Sequence, residues 1–206
     1  MSYDPYRAGP VTGGRRSGGG AALRAGLVVG AFIALLWVAE ILDTLLGNRL
    51  DGHGISPRDP YELPDIVAAP LLHAGFDHLA ANTMPLLVLG FLAALRGLSK
   101  FFVVSGVIVA VSGLGVWLTA PPDTITLGAS GLVFGYFSYV VLRGFLDGKP
   151  LDIVVSIVVG LLYGSLIFGV LPLQAGVSWQ GHLFGLIGGA LAAWLLHGRR
   201  RRTPQY

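Results

Sequence analysis

Six apolar stretches divide the chain, at about residues 25–46, 78–95, 101–119, 129–146, 152–171 and 181–197. A helix crossing the hydrocarbon of a bilayer takes roughly 20 mostly apolar residues, and it satisfies its own backbone there. The pattern therefore predicts an all-α, polytopic membrane protein with six transmembrane helices. Several stretches are short and carry small or polar residues, which suits helices packed on one another rather than facing lipid all round. The longest break, about residues 47–77, holds Pro57, Pro60, Pro64 and Pro70. Ahead of the first stretch, MSYDPYRAGPVTGGRRSGGG is too poor in apolar residues to bury a core, so residues 1–22 are expected to form a disordered tail. The six-helix domain then covers 23–198, and a basic tail, 199–206, follows.

Composition supports the membrane reading. The chain is 53% hydrophobic and only 12% charged, against about 25% charged in a soluble domain. The net charge of +3 makes no case for nucleic acid, because the basic residues sit at the termini and in short breaks between apolar stretches. There is no cysteine, which excludes disulfides, thiolate metal sites and a cysteine nucleophile. The first apolar stretch is too long for a signal-peptide core of ~7–15 residues, and no clear cleavage site follows it. Lys and Arg set the orientation. With the N-terminus in the cytoplasm, the inner segments hold twelve of them: Arg7, Arg15, Arg16, Arg24, Arg96, Lys100, Arg143, Lys149 and Arg199 to Arg202. The outer segments hold only Arg49 and Arg58. Both termini are thus expected in the cytoplasm, with the protein multi-pass in the cell membrane and its helices against the lipid bilayer.

That topology gathers polar residues from three stretches. His78 and Asn82 open the second, Ser130 the fourth and His182 the sixth, and all three run from outside to inside. Ser130 precedes Arg143 by 13 residues, Asn82 precedes Arg96 by 14, and His182 precedes Arg199 by 17. At ~1.5 Å per residue these rise about 20–25 Å from the cytoplasmic charges, somewhat below the outer surface. Polar residues at such depth are functional candidates. A serine hydroxyl is a weak nucleophile and needs a base, for which His182 is the candidate. Gly131 and Gly135 on one stretch, and Gly181, Gly185 and Gly189 on the other, let two backbones approach closely. Free N–H groups at a helix start could receive an oxyanion, and His78 and Asn82, four apart on one face, could add donors. Glu40 and Asp43 lie toward the outer end of the first stretch, and nothing aims either at His182, so a Ser-His dyad is expected. Plainer readings stand beside this one. Ser130 and the glycines can be packing residues. His73, His78, His53 and His182 can be metal ligands, although HExxH is absent. The residues alone leave a serine hydrolase and a structural role both open.

The segments HAGFDHLAAN, GASGLVFG and GHLFGLIGG, in that order, resemble the rhomboid family of intramembrane serine proteases. The resemblance covers about residues 25–197. Its motif residues here are His73, His78 and Asn82; then Gly128, Ser130, Gly131 and Gly135; then His182, Gly185 and Gly189. It implies Ser130 as nucleophile and His182 as general base, with His78, Asn82 and the Ser130 N–H as the oxyanion hole. It implies transmembrane segments of other proteins as substrates, cut near the outer face. It implies no cofactor, no metal and no particular oligomeric state. His73, in the loop, is expected to anchor that loop. There are departures. The Trp-Arg pair common in the family's first outer loop is absent, Ala94 stands where a glutamate is frequent, and Phe134 replaces a Tyr four residues after the serine. Phe134 can stack on the histidine but cannot hydrogen-bond. Two other functions compete: a non-catalytic rhomboid-like protein that binds membrane clients, and a transporter. The first predicts loss of the serine or histidine. The second predicts internal repeats and charged sites at mid-membrane.

Overall fold

A computed structural model describes residues 18–198. The terminal tails expected over 1–17 and 199–206 lie outside the described residues. Residues 18–22, expected in the N-terminal tail, are helical instead: α1 runs Gly18–Leu45. Its sequence from Gly18 on, GGGAALRAGLVVG, gains Ala and Leu quickly enough to carry the helix back through three glycines. The helix closes in a Schellman motif, with Gly47 N–H donating to the Thr44 carbonyl and Asn48 N–H to the Asp43 carbonyl.

Five further long helices follow: α2 Phe76–Ala94, α3 Leu98–Thr119, α4 Ser130–Asp147, α5 Pro150–Val170 and α6 Trp179–His197. Among the described residues there is no strand, only one antiparallel bridge between Ile55 and Thr126. α2 is not uniform. Pro85 lacks the N–H of a regular helical turn, and the ladder widens to a π-helix over Leu86–Gly90. α5 begins with Pro150 at its first turn, where a missing N–H costs nothing, and tightens to a 3-10 helix over Gly164–Val170. Ser178 caps α6, its Oγ accepting from Gly181 N–H at 3.3 Å.

Among the described residues, five helices are long and apolar enough to cross a membrane; α4 is not one of them. It carries Arg143, Asp147, two tyrosines and two serines among its 18 residues. It is also the most enclosed helix, with ten of those 18 residues buried against α3, α5, α6 and the π-helical part of α2. A helix surrounded by protein can be less apolar than one facing lipid, since its neighbours rather than hydrocarbon receive its side chains.

The contacts fix the directions. The starts of α2, α4 and α6 meet at one end, where His78 lies against Gly128 and His182 against Phe134. Their ends meet at the other. There Arg96 pairs with Asp152, Arg143 donates to the Leu92 carbonyl at 3.4 Å, and Asp147 accepts from His197 Nδ1 at 2.8 Å. His197 Nε2 in turn takes the Tyr139 hydroxyl at 3.2 Å. These three helices therefore run parallel, with α3 and α5 returning between them.

The segment between α1 and α2 is built rather than loose. It forms short helical turns at Leu50–His53, Pro60–Glu62, Asp65–Ala68 and Ala69–Leu71. Ile55 exchanges two backbone hydrogen bonds with Thr126, at 2.8 and 3.1 Å. Trp117 Nε1 donates to the Asp59 carbonyl at 3.0 Å, and Arg58 N–H donates to the Trp117 carbonyl at 3.0 Å. Ile55, Ile66 and Ala69 bury with Val116 and Ala120 in a small core of their own. The segment is thereby fastened over the end of α3 and the α3–α4 connection, which leads directly to Ser130.

Candidate active site

Ser130 is the first residue of α4, half-buried, in the connection Gly128–Ala129–Ser130. This connection is held from two sides. Gly128 N–H donates to the Ala69 carbonyl at 2.9 Å, and Ala129 N–H donates to His73 Nε2 at 3.3 Å. Gly128 has φ +121°, and a Cβ there would stand 2.6 Å from Cε1 of His78. Only glycine accepts both that backbone and that ring. The N–H of Ser130 is among the first of the helix, which have no intrahelical partner.

His73 is buried, with 1% of its surface exposed. Burial pushes its ring well down, to about 4, and the nearby His78 adds to the effect. The two rings meet edge to face, centroids 5.2 Å apart. A neutral His73 that accepts at Nε2 carries its proton on Nδ1, which is buried without a partner among the described residues. Asn82, one turn beyond His78 on α2, is buried and gives one amide hydrogen to the His78 carbonyl at 3.1 Å. Its second amide hydrogen has no partner among the described residues.

His182 sits in the first turn of α6 and is buried. Its ring stacks on Phe134 almost face to face, with centroids 4.0 Å apart and planes 8° apart. Phe134 lies one turn after Ser130 on the same face of α4. Helical side chains lean toward the N-terminus, so the Phe134 ring is directed back toward Ser130. Nδ1 of His182 is 2.8 Å from the Gly169 carbonyl. A carbonyl only accepts, so Nδ1 holds the proton and Nε2 keeps its lone pair. Among the described residues no hydrogen bond joins Ser130 and His182.

The two helices carrying these residues pack backbone to backbone. A Cβ on Gly185 would collide with the carbonyl oxygen of Gly131 and stand 3.2 Å from its carbonyl carbon. A Cβ on Gly189 would collide with the carbonyl of Gly135. Beside Ser130 is a cavity of ≈ 30 Å³ whose lining includes Ser112, Thr126 and Ser178, with room for about one water or two.

The comparisons with known proteins fall on this same stretch. The family model of the Rhomboid domain matches residues 60–199. The chain belongs to the rhomboid family. An uncharacterized protein of Mycobacterium tuberculosis is similar to this rhomboid chain, 44% identical over 188 residues, which cover 86% of this chain and 78% of that one. One of Mycobacterium leprae is 41% identical over 188 residues, covering 86% and 74%. A Bacillus subtilis protein named "Putative rhomboid protease YdcA" is 29% identical over 165 residues, covering 78% and 77%. With its apolar helices, this rhomboid is a multi-pass membrane protein.

The site as built thus places His73 and His78 against the turn before Ser130, and His182 against Phe134. It leaves Asn82 bonded to its own helix. Glu40 and Asp43 are buried at the end of α1, where Asp43 Oδ1 accepts from Leu50 N–H at 2.7 Å. Among the described residues neither hydrogen-bonds His182. Sequence reasoning missed the partner that His182 does have, the Gly169 carbonyl. It also missed Ser178, although a serine just before a helical stretch is a capping signal.

Proposed function

We propose that this rhomboid is an intramembrane serine endopeptidase that cuts transmembrane segments of other membrane proteins near the outer face of the cell membrane. The chain would cross the bilayer six times, α4 included, with both termini in the cytoplasm. The observation that carries this reading is the stack of His182 on Phe134, which puts the imidazole on the face of α4 that begins with Ser130.

In this reading Ser130 Oγ attacks the scissile carbonyl while His182 Nε2 takes its proton. The negative charge then grows on the carbonyl oxygen. The Ser130 N–H, His78 and the free amide hydrogen of Asn82 are the donors for it. His182 returns the proton to the departing amine, which leaves an ester on Ser130. Water then attacks that ester with His182 again as base, which releases the enzyme. The chemistry uses no cofactor. His73 serves this arrangement from behind, through the N–H of Ala129.

The test is covalent labelling of purified protein with a fluorophosphonate, which reports an activated serine without needing a known substrate. We expect the wild type to be labelled, Ser130→Ala to lose labelling while keeping its melting temperature, and His182→Ala to lose labelling with a lowered melting temperature, because its buried ring packs on Phe134. Undiminished labelling of Ser130→Ala would overturn the assignment.

A further inference from the structure

The structure assigns a positioning role to the backbone carbonyl of Gly169: it takes the place that an acid holds in a catalytic triad. This inference rests on the proposed role of His182 as base. A base histidine needs its proton on the nitrogen away from the nucleophile and its ring held in one orientation. Phe134 fixes the plane of the ring by stacking. Stacking leaves the ring free to turn within that plane and does not choose between tautomers. The Gly169 carbonyl, 2.8 Å from Nδ1, does both. It accepts only, so it requires Nδ1–H and leaves Nε2 as the basic nitrogen. Among the described residues no carboxylate takes part: Asp43 is spent on the Leu50 N–H at the end of α1, and Glu40 beside it is buried there too.

Residue 169 is also shaped for this task. A Cβ there would stand 2.7 Å from Cζ of Phe134 and 3.2 Å from Nδ1 of His182. The backbone comes that close only because the side chain is missing. The carbonyl belongs to neither helix of the dyad. It comes from the 3-10 end of α5, Gly164–Val170. α5 is the least enclosed of the apolar helices, with 11% of its apolar window buried, against 44% for α6. The tautomer of His182 therefore depends on a peripheral helix keeping its last turn docked against α4 and α6.

Two measurements on the full chain in detergent test this. Histidine nitrogen NMR on the wild type should show His182 with a protonated Nδ1 and an unprotonated Nε2 at neutral pH. The carbonyl is then weakened without changing any side chain, by putting the α-hydroxy acid counterpart of valine at Val170, which turns the Gly169 amide into an ester. We expect the Nδ1 signal to move, labelling of Ser130 by fluorophosphonate to slow roughly three- to tenfold, the range of one weakened hydrogen bond, and the melting temperature to hold. Gly169→Ala should slow labelling further, because its methyl displaces the ring. A wild-type His182 protonated on Nε2, or an ester variant with an unmoved Nδ1 signal, would overturn the assignment. A wild type that takes no label would count against the hydrolase reading instead, and the nitrogen spectra would still decide the role of Gly169.

Discussion

His73 is the residue through which acid should reach the site. In the native protein its ring is held neutral down to about pH 4, while in the unfolded chain it takes up a proton near its ordinary value of 6.5. Between those values the unfolded state binds more protons, so stability rises with pH from about 4 to 6.5 and is fully present above 6.5. Protonation has a local meaning as well. It would put a hydrogen on Nε2, facing the Ala129 N–H that this atom accepts from at 3.3 Å. Two donors would then oppose each other beside Ser130. Melting curves of wild type and His73→Gln from pH 4 to 7.5 should therefore diverge, with the variant losing part of the wild-type slope below 6.5. Parallel curves would remove His73 as the cause. The side chains of this site were largely legible in the sequence. Ser130, His182, His78 and Asn82 are polar residues in apolar surroundings, and their spacings mark helical faces. The Gly169 carbonyl was not, because a backbone acceptor leaves no trace in residue type, and only the folded path of α5 brings it to His182.

At the scale of elements, the contact between α4 and α6 decides whether there is a site at all. The four-residue spacing of Gly131, Gly135, Gly185 and Gly189 announced that contact, since residues four apart share a face. The sequence was less informative where structure depends on distant partners. The break at about 47–77 reads as a proline-rich loop, yet it is fixed by Thr126 and Trp117, more than fifty residues away. The widened turns after Pro85 and the early start of α1 were equally unannounced. Gly185→Val tests the helix contact. The added methyls would meet the Gly131 carbonyl, a backbone group that cannot rotate aside. Overpacking of this kind costs typically about 1–3 kcal/mol. We expect a lower melting temperature together with lost labelling at Ser130, since α6 must retreat and takes His182 with it. Gly160→Ala on α5 is the control, because a Cβ there meets nothing within 4 Å. It should leave both properties near wild type. A Gly185→Val protein that melts and labels like wild type would show that the two backbones are not in contact.

For the whole molecule, the two ends of the bundle differ in charge as well as in chemistry. The end holding Ser130 and His182 also carries the 46–75 segment with Arg49 and Arg58. The opposite end carries Arg96, Lys100, Arg143 and Lys149, with Arg96 paired to Asp152 and Arg143 buried against Tyr139 and the Leu92 carbonyl. Cytoplasmic segments carry the excess of Lys and Arg. The site should accordingly open toward the outside of the cell, and a protease so placed would cut its substrates near that face. The absence of cysteine makes the orientation directly measurable, because any single introduced thiol is the only one in the chain. Tyr61 is 92% exposed on the Ser130 side, and Lys149 is exposed in the connection between α4 and α5 at the other end. Tyr61→Cys should react with a membrane-impermeant maleimide in intact cells. Lys149→Cys should react only after the membrane is permeabilised. Neither substitution disturbs a buried group, so both proteins should fold as wild type does. The reverse pattern would turn the bundle over, put the serine on the cytoplasmic side, and require substrates to be cut at the inner face instead.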